Sequence, residues 1–342
     1  MNNGVNGVSG GIGLSGRIET VFTLLSPLSH IGESIGPNSY LATQDMLDAE
    51  GNPIEVFAYS GNAIRGMWRD SGAEYMIKKL GGNLTLQIPL ELFYLFFSGG
   101  AIGGDQSIDI DQARRIRDQI PHLSLFGGGV GNMLLPGKLS VGEGLPVCRE
   151  LSHIVPEHVP GNRELSCRQM TTEISYSRKD DAKDDLLRKH LQDNDPLAIT
   201  GQQMTLLADP DEEKKKEKKE KPQQMRYTLE VFCRGAVLWQ ETFFRDLSEI
   251  ELGAFVAAIA KWAENPVLGG QGRIGMGRVK AKMTLVTDGE REQFISVGDR
   301  CLLGELARGT KARYDNFLER YKIYLEENRD GLTRAISGEV AK

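Results

Sequence analysis

The residues with the clearest chemical potential lie in a short glycine-rich stretch, Gly270–Gly275, which reads G-x-G-x-x-G. That spacing is the fingerprint of a dinucleotide-binding turn, in which glycines let the backbone approach a pyrophosphate. The turn requires a strand before it, a helix that opens at its third glycine and an acidic residue roughly 20 residues further on. The elements on either side of the stretch therefore decide whether it can do this chemistry.

The flanking sequence predicts the opposite order of elements. Ser248 and Glu251 have the spacing of a capping box, and apolar residues follow them at helical intervals. Pro266 ends this helix, because proline has no N–H to donate and restricts the residue before it. Beyond the glycines, apolar and polar residues alternate over 279–285, as in a strand with one solvated face. The order helix, loop, strand argues against a dinucleotide turn and against an oxidoreductase.

The same glycine loop carries basic side chains, which favour a polyanion as its partner. Gln271, Arg273 and Arg278 lie among the glycines, and Lys280 and Lys282 follow on the predicted strand. Glycines allow a polymer backbone to come close to the main chain, and the cations supply charge for phosphate contacts. The alternative is a flexible loop after a helix, without a ligand.

A second candidate anion site lies at the start of a predicted helix that Ser60 would cap. Asn62 then lies where free backbone N–H groups and the helix dipole favour an anion. Arg65 and Arg69 are four residues apart and share one face of this helix. We expect the helix start and the two arginines to clamp a phosphate. The alternative is a solvated face on which the arginines pair with a carboxylate such as Asp70 or Glu74.

Other reactive side chains indicate no catalytic centre. Zinc-type ligands occur together in one segment: Cys148, His153, His158 and Cys167. Their C-x4-H-x4-H-x8-C spacing is not one of the common zinc patterns, so we expect unrelated surface residues and no metal. His30 lies in a loop after the first strand, where a structural or RNA-stacking role is favoured over a general base. The sequence holds no G-x-S-x-G, H-E-x-x-H or P-loop motif.

The composition predicts a cytoplasmic protein that does not enter the membrane. The four cysteines form no C-x-x-C pair, which is typical of a reducing compartment. The N-terminal residues lack the basic and apolar regions of a secretory signal, and the most apolar run, 88–97, is shorter than the about 20 residues of a membrane helix. The net charge of −6 over 342 residues disfavours nucleic acid overall, but concentrated acidic segments leave room for a local basic groove.

The order of predicted elements indicates an α+β fold. Residues 1–16 form a flexible glycine-rich lead, 17–141 and 227–342 hold strand–helix–strand units, and 142–226 is a polar insertion. Two such units with a large insertion fit a ferredoxin-like sheet with additions. The charge run near 208–222 is expected to be a solvated, disordered loop, with a basic tether near nucleic acid as the alternative.

Five segments, in order along roughly residues 17–285, resemble the RAMP superfamily of CRISPR-associated proteins. They are "LSPLSHIGES", "YSGNAIRGMWR", "LFGGGVGNMLLPGKLSV", "TTEISYSRKDDAKDD" and "LGGQGRIGMGRVKAKM". They are similar, in turn, to the superfamily's H-I-G start, its G-S-S-L-K-G helix start, its central L-F-G segment, its thumb strand and its closing glycine loop. Within the superfamily the chain is most similar to the type IV backbone subunit, with the type III backbone as runner-up.

The resemblance implies an RRM-like (ferredoxin-like) palm with a thumb hairpin insertion and extra helices. It implies a subunit for antiviral defence that binds CRISPR guide RNA (crRNA), forms a helical oligomer with copies of itself, and needs no cofactor. Other effector subunits and a complementary nucleic-acid target are the further partners. Carried onto this sequence, the RNA contacts are His30, Asn62, Arg65, Arg69, Arg168, Gln169, Met170, Gln271, Arg273 and Arg278. In this scheme Met170 would wedge against a splayed base.

One departure from the family pattern falls in residues 26–53, which are predicted to be a long polar loop. RNA-cleaving type III backbone subunits carry an aspartate in this region, and Asn38 stands about where it is expected. An amide cannot replace a carboxylate in acid–base or metal chemistry. We therefore expect RNA binding without cleavage. The alternative is a metal-dependent RNase that uses Asp45, or a guide-processing RNase that uses His30.

Overall fold

The computed structural model describes residues 13–82, 86–100, 114, 117–130, 133–177, 226–298 and 311–337. The strands are β1 Leu14–Leu24, β2 Ile31–Ile35, β3 Asn38–Leu41, β4 Thr43–Leu47, β5 Pro53–Phe57, β6 Gly128–Val130, β7 Met133–Leu135, β8 Leu139–Val141, β9 Leu145–Pro146, β10 Thr171–Ser177, β11 Arg226–Phe232, β12 Val237–Leu247, β13 Val279–Thr287 and β14 Glu290–Val297. The helices are α1 Gly61–Gly81, α2 Leu90–Phe93, α3 Pro121–Phe126, α4 Glu249–Trp262, α5 Lys311–Glu327 and α6 Arg329–Ser337.

The chain forms two compact units, and the fold is a mixture of helices and mainly antiparallel sheets. Unit one is built from residues 1–30, 41–172 and 231–342. Its main sheet has the strand order β14-β13-β1-β12-β8, and β9 also pairs with β12. Strands β12 and β13 pair antiparallel with β1, β8 and β9 pair antiparallel with β12, and β14 pairs antiparallel with β13. None of the described helices has both the length and the apolarity needed to cross a bilayer.

Strand β1 lies in the middle of this sheet, and one of its faces forms the core with the helices. Ile18, Phe22 and Leu24 alternate along the strand and are buried. The Phe22 ring meets the Trp262 ring of α4 edge to face, with centroids 6.1 Å apart. Helix α4 is buried along almost its whole length, which explains its apolar sequence. The core therefore lies between the sheet and the helical layer.

The opposite face of the sheet holds a buried ion pair at Glu19. Arg291 of β14 binds this carboxylate with two hydrogen bonds of 2.7 and 2.6 Å, and His158 Nε2 lies 3.0 Å from it. Arg17 bridges Glu19 and Glu241 at 3.2 and 3.1 Å. Burial alone would raise the pKa of Glu19, but the hydrogen bonds from Arg291 and His158 outweigh it and hold that pKa below its usual value.

Unit two comprises residues 31–40 and 173–230. It holds most of a four-stranded sheet with the order β10-β11-β3-β2. Strands β11 and β3 pair in parallel, with Thr228 opposite Asn38, and the rings of Tyr176 and Tyr227 stack at 5.7 Å. The predicted charge run near 208–222 and residues 1–12 of the predicted lead over 1–16 lie outside the described residues, while residues 14–16 of that lead begin β1. The thumb assignment of 142–226 stays a prediction, and 142–172 cluster with unit one.

Local patterns predicted several elements correctly. The capping box is present, with Ser248 Oγ accepting from the Glu251 N–H and the Glu251 carboxylate accepting from the Ser248 N–H. The alternating strand over 279–285 is confirmed as β13.

Two local predictions are wrong. Ser60 makes no side-chain cap for α1. The polar loop over 26–53 contains β2, β3 and β4, which the sequence hid because most of their side chains are exposed.

Glu19→Gln should lower the free energy of unfolding at pH 7 by about 2 kcal/mol, because it removes one partner of a buried ion pair. A lowered pKa contributes stability that is present above the ordinary glutamate pKa of about 4.3 and lost as the pH falls through the folded value. Urea unfolding at pH 7 and at pH 3 should therefore show a smaller difference between variant and wild type at pH 3. Glu290→Gln, on the exposed start of β14, is the matched control. A difference that is equal at both pH values would contradict this role for Glu19.

Candidate nucleic-acid interface

Three segments of unit one meet at the end of β1. They are the loop after β1, the start of α1, and the glycine loop between α4 and β13. The Gly277 N–H donates to the Pro27 carbonyl at 2.7 Å, and the Arg278 N–H donates to Ser26 Oγ at 2.9 Å. The Leu25 N–H in turn donates to the Arg278 carbonyl at 2.7 Å. These bonds fix the glycine loop against the end of the central strand.

Tyr59 ties the start of α1 to the glycine loop. Its hydroxyl accepts a hydrogen bond of 2.7 Å from the Gly269 N–H, and its backbone pairs with Gly144. The side chain is buried, and burial raises the pKa of Tyr59. Tyr59 was not among the predicted site residues, since its partner is 210 residues away and no local spacing signals it.

His30 lies in this junction as a packed, neutral ring. Its ring centroid is 4.5 Å from that of Tyr59, and its Nε2 accepts a 3.3 Å hydrogen bond from the Ser60 N–H. Burial lowers the pKa of His30, which favours the neutral form that accepts this bond. His30 therefore accepts from the backbone N–H of Ser60, the residue directly before α1, while the cap predicted for the Ser60 side chain is absent.

The glycine loop presents a short turn to solvent. Gly277 has φ of +74°, and a Cβ there would overlap the Leu268 carbonyl oxygen, so only glycine allows the loop to close against itself. Residues 272–274 form one turn of 3₁₀ helix on which Arg273 and Ile274 are exposed. Ile274 is 58% exposed, which is unusual for this residue type and gives the turn an apolar tip. Gln271 is half-buried.

Lys280 and Lys282 extend this surface along β13. Their neighbours in sequence are buried while both lysines are exposed, so they point to the face opposite the helices. Two residues along a strand span about 6.7 Å. Within the described part of the chain neither lysine has a carboxylate partner, because Glu19, the nearby acid on this face, is bound by Arg291 and Arg17. The strand therefore carries two uncompensated cations beside the glycine loop.

The three predicted RNA-contact residues of α1 lie in two different environments. Asn62 is exposed on the first turn of the helix. Arg65 and Arg69 are partly buried, and both donate to the Phe126 carbonyl at the end of α3. Of the two carboxylates given above as alternative partners for the arginines, Glu74 pairs with Lys261 at 2.9 Å, whereas Asp70 lies close enough to Arg69 to attract its charge.

The remaining predicted residues lie outside this junction in the sequence. Arg168 and Gln169 are exposed on a 3₁₀ turn, whereas Met170 is 3% exposed and belongs to the core. Burial of Met170 indicates a packing role in this conformation. Asp45 is exposed on β4, directly opposite Glu55 of β5.

The four zinc-type residues do not come together as a metal site. Two of them, Cys148 and Cys167, are buried, contrary to the prediction of surface residues. They share a hydrogen bond, which together with burial raises the pKa of Cys148. His158 binds Glu19 instead. Among the described residues there is no group of three or more histidines, cysteines or carboxylates placed to hold a metal ion.

Comparison with known proteins identifies the fold. No family model matches the chain, and no curated protein matches it. Among solved structures, the chain is similar to a chain of a type IV-B CRISPR complex, with a TM-score of 0.50 and 17% identity over 78% of this chain and 90% of that one. It is also similar to Csc2 of Thermofilum pendens, with a TM-score of 0.36 and 14% identity over 92% of this chain and 76% of that one. The first match shows a shared fold and confirms the motif-based resemblance at that level.

Two alanine variants of the glycine loop, Gly277→Ala and Gly275→Ala, distinguish the two reasons for a glycine. One is the space that a Cβ would need, and the other is the positive φ of the backbone. Both residues have positive φ, but a Cβ at Gly275 would meet open space. Gly275→Ala should cost about 1 kcal/mol of stability, and Gly277→Ala should cost about 1 to 3 kcal/mol more, because it forces the loop away from Leu268. Thermal or urea unfolding of the two variants measures this difference. Equal losses would mean that the loop does not pack as described.

Proposed function

We propose that this chain is a guide-RNA-binding backbone subunit of a CRISPR effector complex, most similar to the type IV version, and that it does not cleave RNA. The observation that carries the proposal is the junction at the end of β1, where the start of α1 meets a glycine loop with exposed cations. A fold shared with a chain of a type IV-B CRISPR complex supports it.

The connectivity of unit one supports an RRM-like palm. The order along the chain is β1, α1, β8 with β9, β12, α4 and β13, and the order in the sheet is β13-β1-β12 followed by β8 and β9. This is the β-α-β-β-α-β arrangement of a ferredoxin-like fold, with β14 as an added edge strand. We assign unit two, with β2, β3, β10 and β11, to the thumb.

The chemistry of the junction suits recognition of an RNA backbone. Arg273, Lys280 and Lys282 provide exposed positive charge, and Asn62 lies on the exposed first turn of α1. The apolar tip at Ile274 offers a surface on which a base can pack. Contacts to phosphates and base faces carry no sequence information, which is what a subunit that must accept any guide requires.

The proposal includes partners that follow from the resemblance. Copies of the chain line up helically along the guide, each holding a few nucleotides, and other effector subunits complete the complex. A complementary nucleic acid pairs with the exposed guide bases. Arg168 and Gln169 directly precede β10, the strand that leads into unit two, and we expect them to contact the guide there.

The central experiment is recovery of the guide. The full chain is purified from cells that express a matching CRISPR array, and the bound nucleic acid is sequenced. Guide RNA should be enriched over total RNA. Recovery of no guide from a folded protein would overturn the proposal.

Variants of the exposed cations test the surface itself. Lys280→Ala and Lys282→Ala should each weaken binding of single-stranded RNA several-fold and reduce the slope of log affinity against log salt by about 0.7, the value for one phosphate contact on a single strand. Lys78→Ala is the matched control, since Lys78 is exposed near the other end of α1. Binding and salt slopes that are the same in all three variants would place the RNA elsewhere.

Absence of cleavage is a separate prediction. Labelled complementary RNA incubated with the assembled complex and a divalent metal ion should remain intact. Regularly spaced products that disappear in Asp45→Ala would instead establish the RNase alternative, with Asp45 and the opposing Glu55 as the acidic pair.

A further inference from the structure

Two cysteines that are distant in sequence meet in the core of unit one. Cys148 follows β9, and Cys167 directly precedes the 3₁₀ turn that leads into β10. Cys148 is fully buried and Cys167 is 7% exposed, and both are free thiols. Their side chains share a hydrogen bond. The two sulfur atoms are therefore in direct contact.

Backbone hydrogen bonds on both sides hold Cys148 in place. The N–H of Val147, directly before it, donates to a carbonyl of β12 at 2.9 Å. The N–H of Arg149, directly after it, donates to the Leu165 carbonyl at 2.9 Å. The first bond ties Cys148 to the main sheet, and the second ties it to the segment that carries Cys167. The pairing of the two cysteines thus follows from the fold and not from a chance side-chain rotamer.

The backbone of Cys167 is fixed in the same way. Its N–H donates to the Glu150 carboxylate at 3.1 Å, and its carbonyl accepts from Thr171 Oγ1 at 3.2 Å. Arg163 ties together the segment between the two cysteines, because its guanidinium donates to the carbonyls of Ser152, Val155, Pro156 and Val159. A disulfide has strict limits on the separation of its two residues, and here both residues are already held next to each other.

The two thiols of the pair differ in acidity. The hydrogen bond with Cys167 and burial raise the pKa of Cys148, and the charge of an ionised Cys167 raises it further. Cys148 therefore still holds its proton when Cys167 has lost its own. The thiolate is the reactive form of cysteine, and Cys167 is also the more exposed of the two. Cys167 is thus the sulfur that meets an oxidant, and Cys148 is the partner that closes the bond.

A carboxylate lies beside the pair. Glu150 accepts from the Cys167 N–H, and its side chain also contacts the Cys148 thiol through a hydrogen bond. A carboxylate within hydrogen-bond reach of a thiol can take its proton as the sulfur attacks. Glu150 is therefore placed to act as the base for Cys148.

We propose that Cys148 and Cys167 are an oxidation site, at which a hydroperoxide converts the two thiols to a disulfide. First, the Cys167 thiolate attacks the peroxide. An S–O bond forms, the O–O bond breaks, and the leaving oxygen takes up the proton that Cys167 released. Second, the Cys148 sulfur attacks the Cys167 sulfur while its proton passes to Glu150. The S–S bond forms, the S–O bond breaks, and hydroxide leaves with that proton as water.

The overall reaction balances with the hydroperoxide as the only oxidant. Two thiols and one hydroperoxide give one disulfide, one alcohol (water, for hydrogen peroxide) and one water, so that the sulfurs are oxidised and the peroxide is reduced. The disulfide closes a loop over residues 149–166. A closed loop stabilises the folded state chiefly by restricting the unfolded chain. The site does not depend on RNA, so its test is independent of the proposed guide binding.

The test maps the cysteines of the full wild-type chain, reduced, freed of reductant and then treated with hydrogen peroxide while folded. Remaining thiols are blocked with iodoacetamide in urea, and tryptic peptides are measured by mass spectrometry. Peptides 139–149 and 164–168, which carry Cys148 and Cys167, should appear joined with the loss of two hydrogens. Dithiothreitol should separate them. Recovery of both peptides as alkylated thiols, or as sulfinic acids without a link, would overturn the proposal.

A cysteine outside the pair provides the matched control. Cys233 is half-buried, and Cys233→Ser should form the link as fast as the wild type. The oxidised wild type should also unfold at a temperature several degrees higher than the reduced form, whereas peroxide should cause no such rise in Cys167→Ser. A link between Cys148 and Cys233 in the folded chain, or a lower unfolding temperature after oxidation, would contradict the site. The wild-type measurements remain decisive if a cysteine variant does not fold.

The role of Glu150 is tested by the rate at which the link forms. Glu150→Gln keeps an oxygen that accepts from the Cys167 N–H but removes the carboxylate that takes the proton. It should slow formation of the disulfide at least threefold. Glu157→Gln, an exposed position on the same segment, should leave the rate unchanged. Equal rates in the two folded variants would contradict the proton transfer to Glu150.

Discussion

The structure depends on the fact that β1 is paired along both of its edges. Strands β12 and β13 hydrogen-bond to it in antiparallel register, which fixes its direction and the position of its end. One face of β1 enters the core, so a shift of the strand by one residue would turn Phe22 to the opposite face, where Glu19 and its ion-pair partners lie. The end of β1 is therefore a rigid point, and the glycine loop binds to it through backbone hydrogen bonds of Gly277 and Arg278. Any ligand that contacts the loop contacts a surface whose geometry the central strand determines.

A second feature of the structure is how charged side chains are paired in a protein whose net charge is −6. Buried carboxylates are bound from within: Glu19 by Arg291, Arg17 and His158, and Glu251 by Lys138 and two serines. Lys280 and Lys282 on β13 form no ion pair with a carboxylate in the described part of the chain, whereas Arg65 and Arg69 on α1 both donate to the Phe126 carbonyl and Asp70 attracts Arg69. A negative total charge thus coexists with exposed cations on one strand.

The sequence predicted the features that local spacing determines. The capping box of α4, the alternation along β13 and the order helix, glycine loop, strand were readable because each depends on neighbours within a few residues. That order was enough to reject a dinucleotide turn. The strands β2, β3 and β4 were not predicted, because they bury few side chains and their sequences therefore show no alternation of apolar and polar residues. For Met170 the resemblance implied a base wedge, whereas the side chain is buried in the core of this structure.

Side-chain partners that are distant in sequence could not have been predicted in this way. Arg65 and Arg69 were identified from their helical spacing, but their common partner Phe126 lies 61 and 57 residues further along the chain. The same spacing is compatible with a clamp at the helix start, with a solvated face and with hydrogen bonds to the protein's own backbone, and only tertiary packing chooses among them. Burial distinguishes the observed outcome: exposed arginines are solvated by water and screened by salt, whereas Arg65 and Arg69 are partly buried and both donate to the Phe126 carbonyl. The helix that was expected to present one phosphate site therefore presents two regions with different chemistry, an exposed first turn and, further along, two arginines bound to a backbone carbonyl.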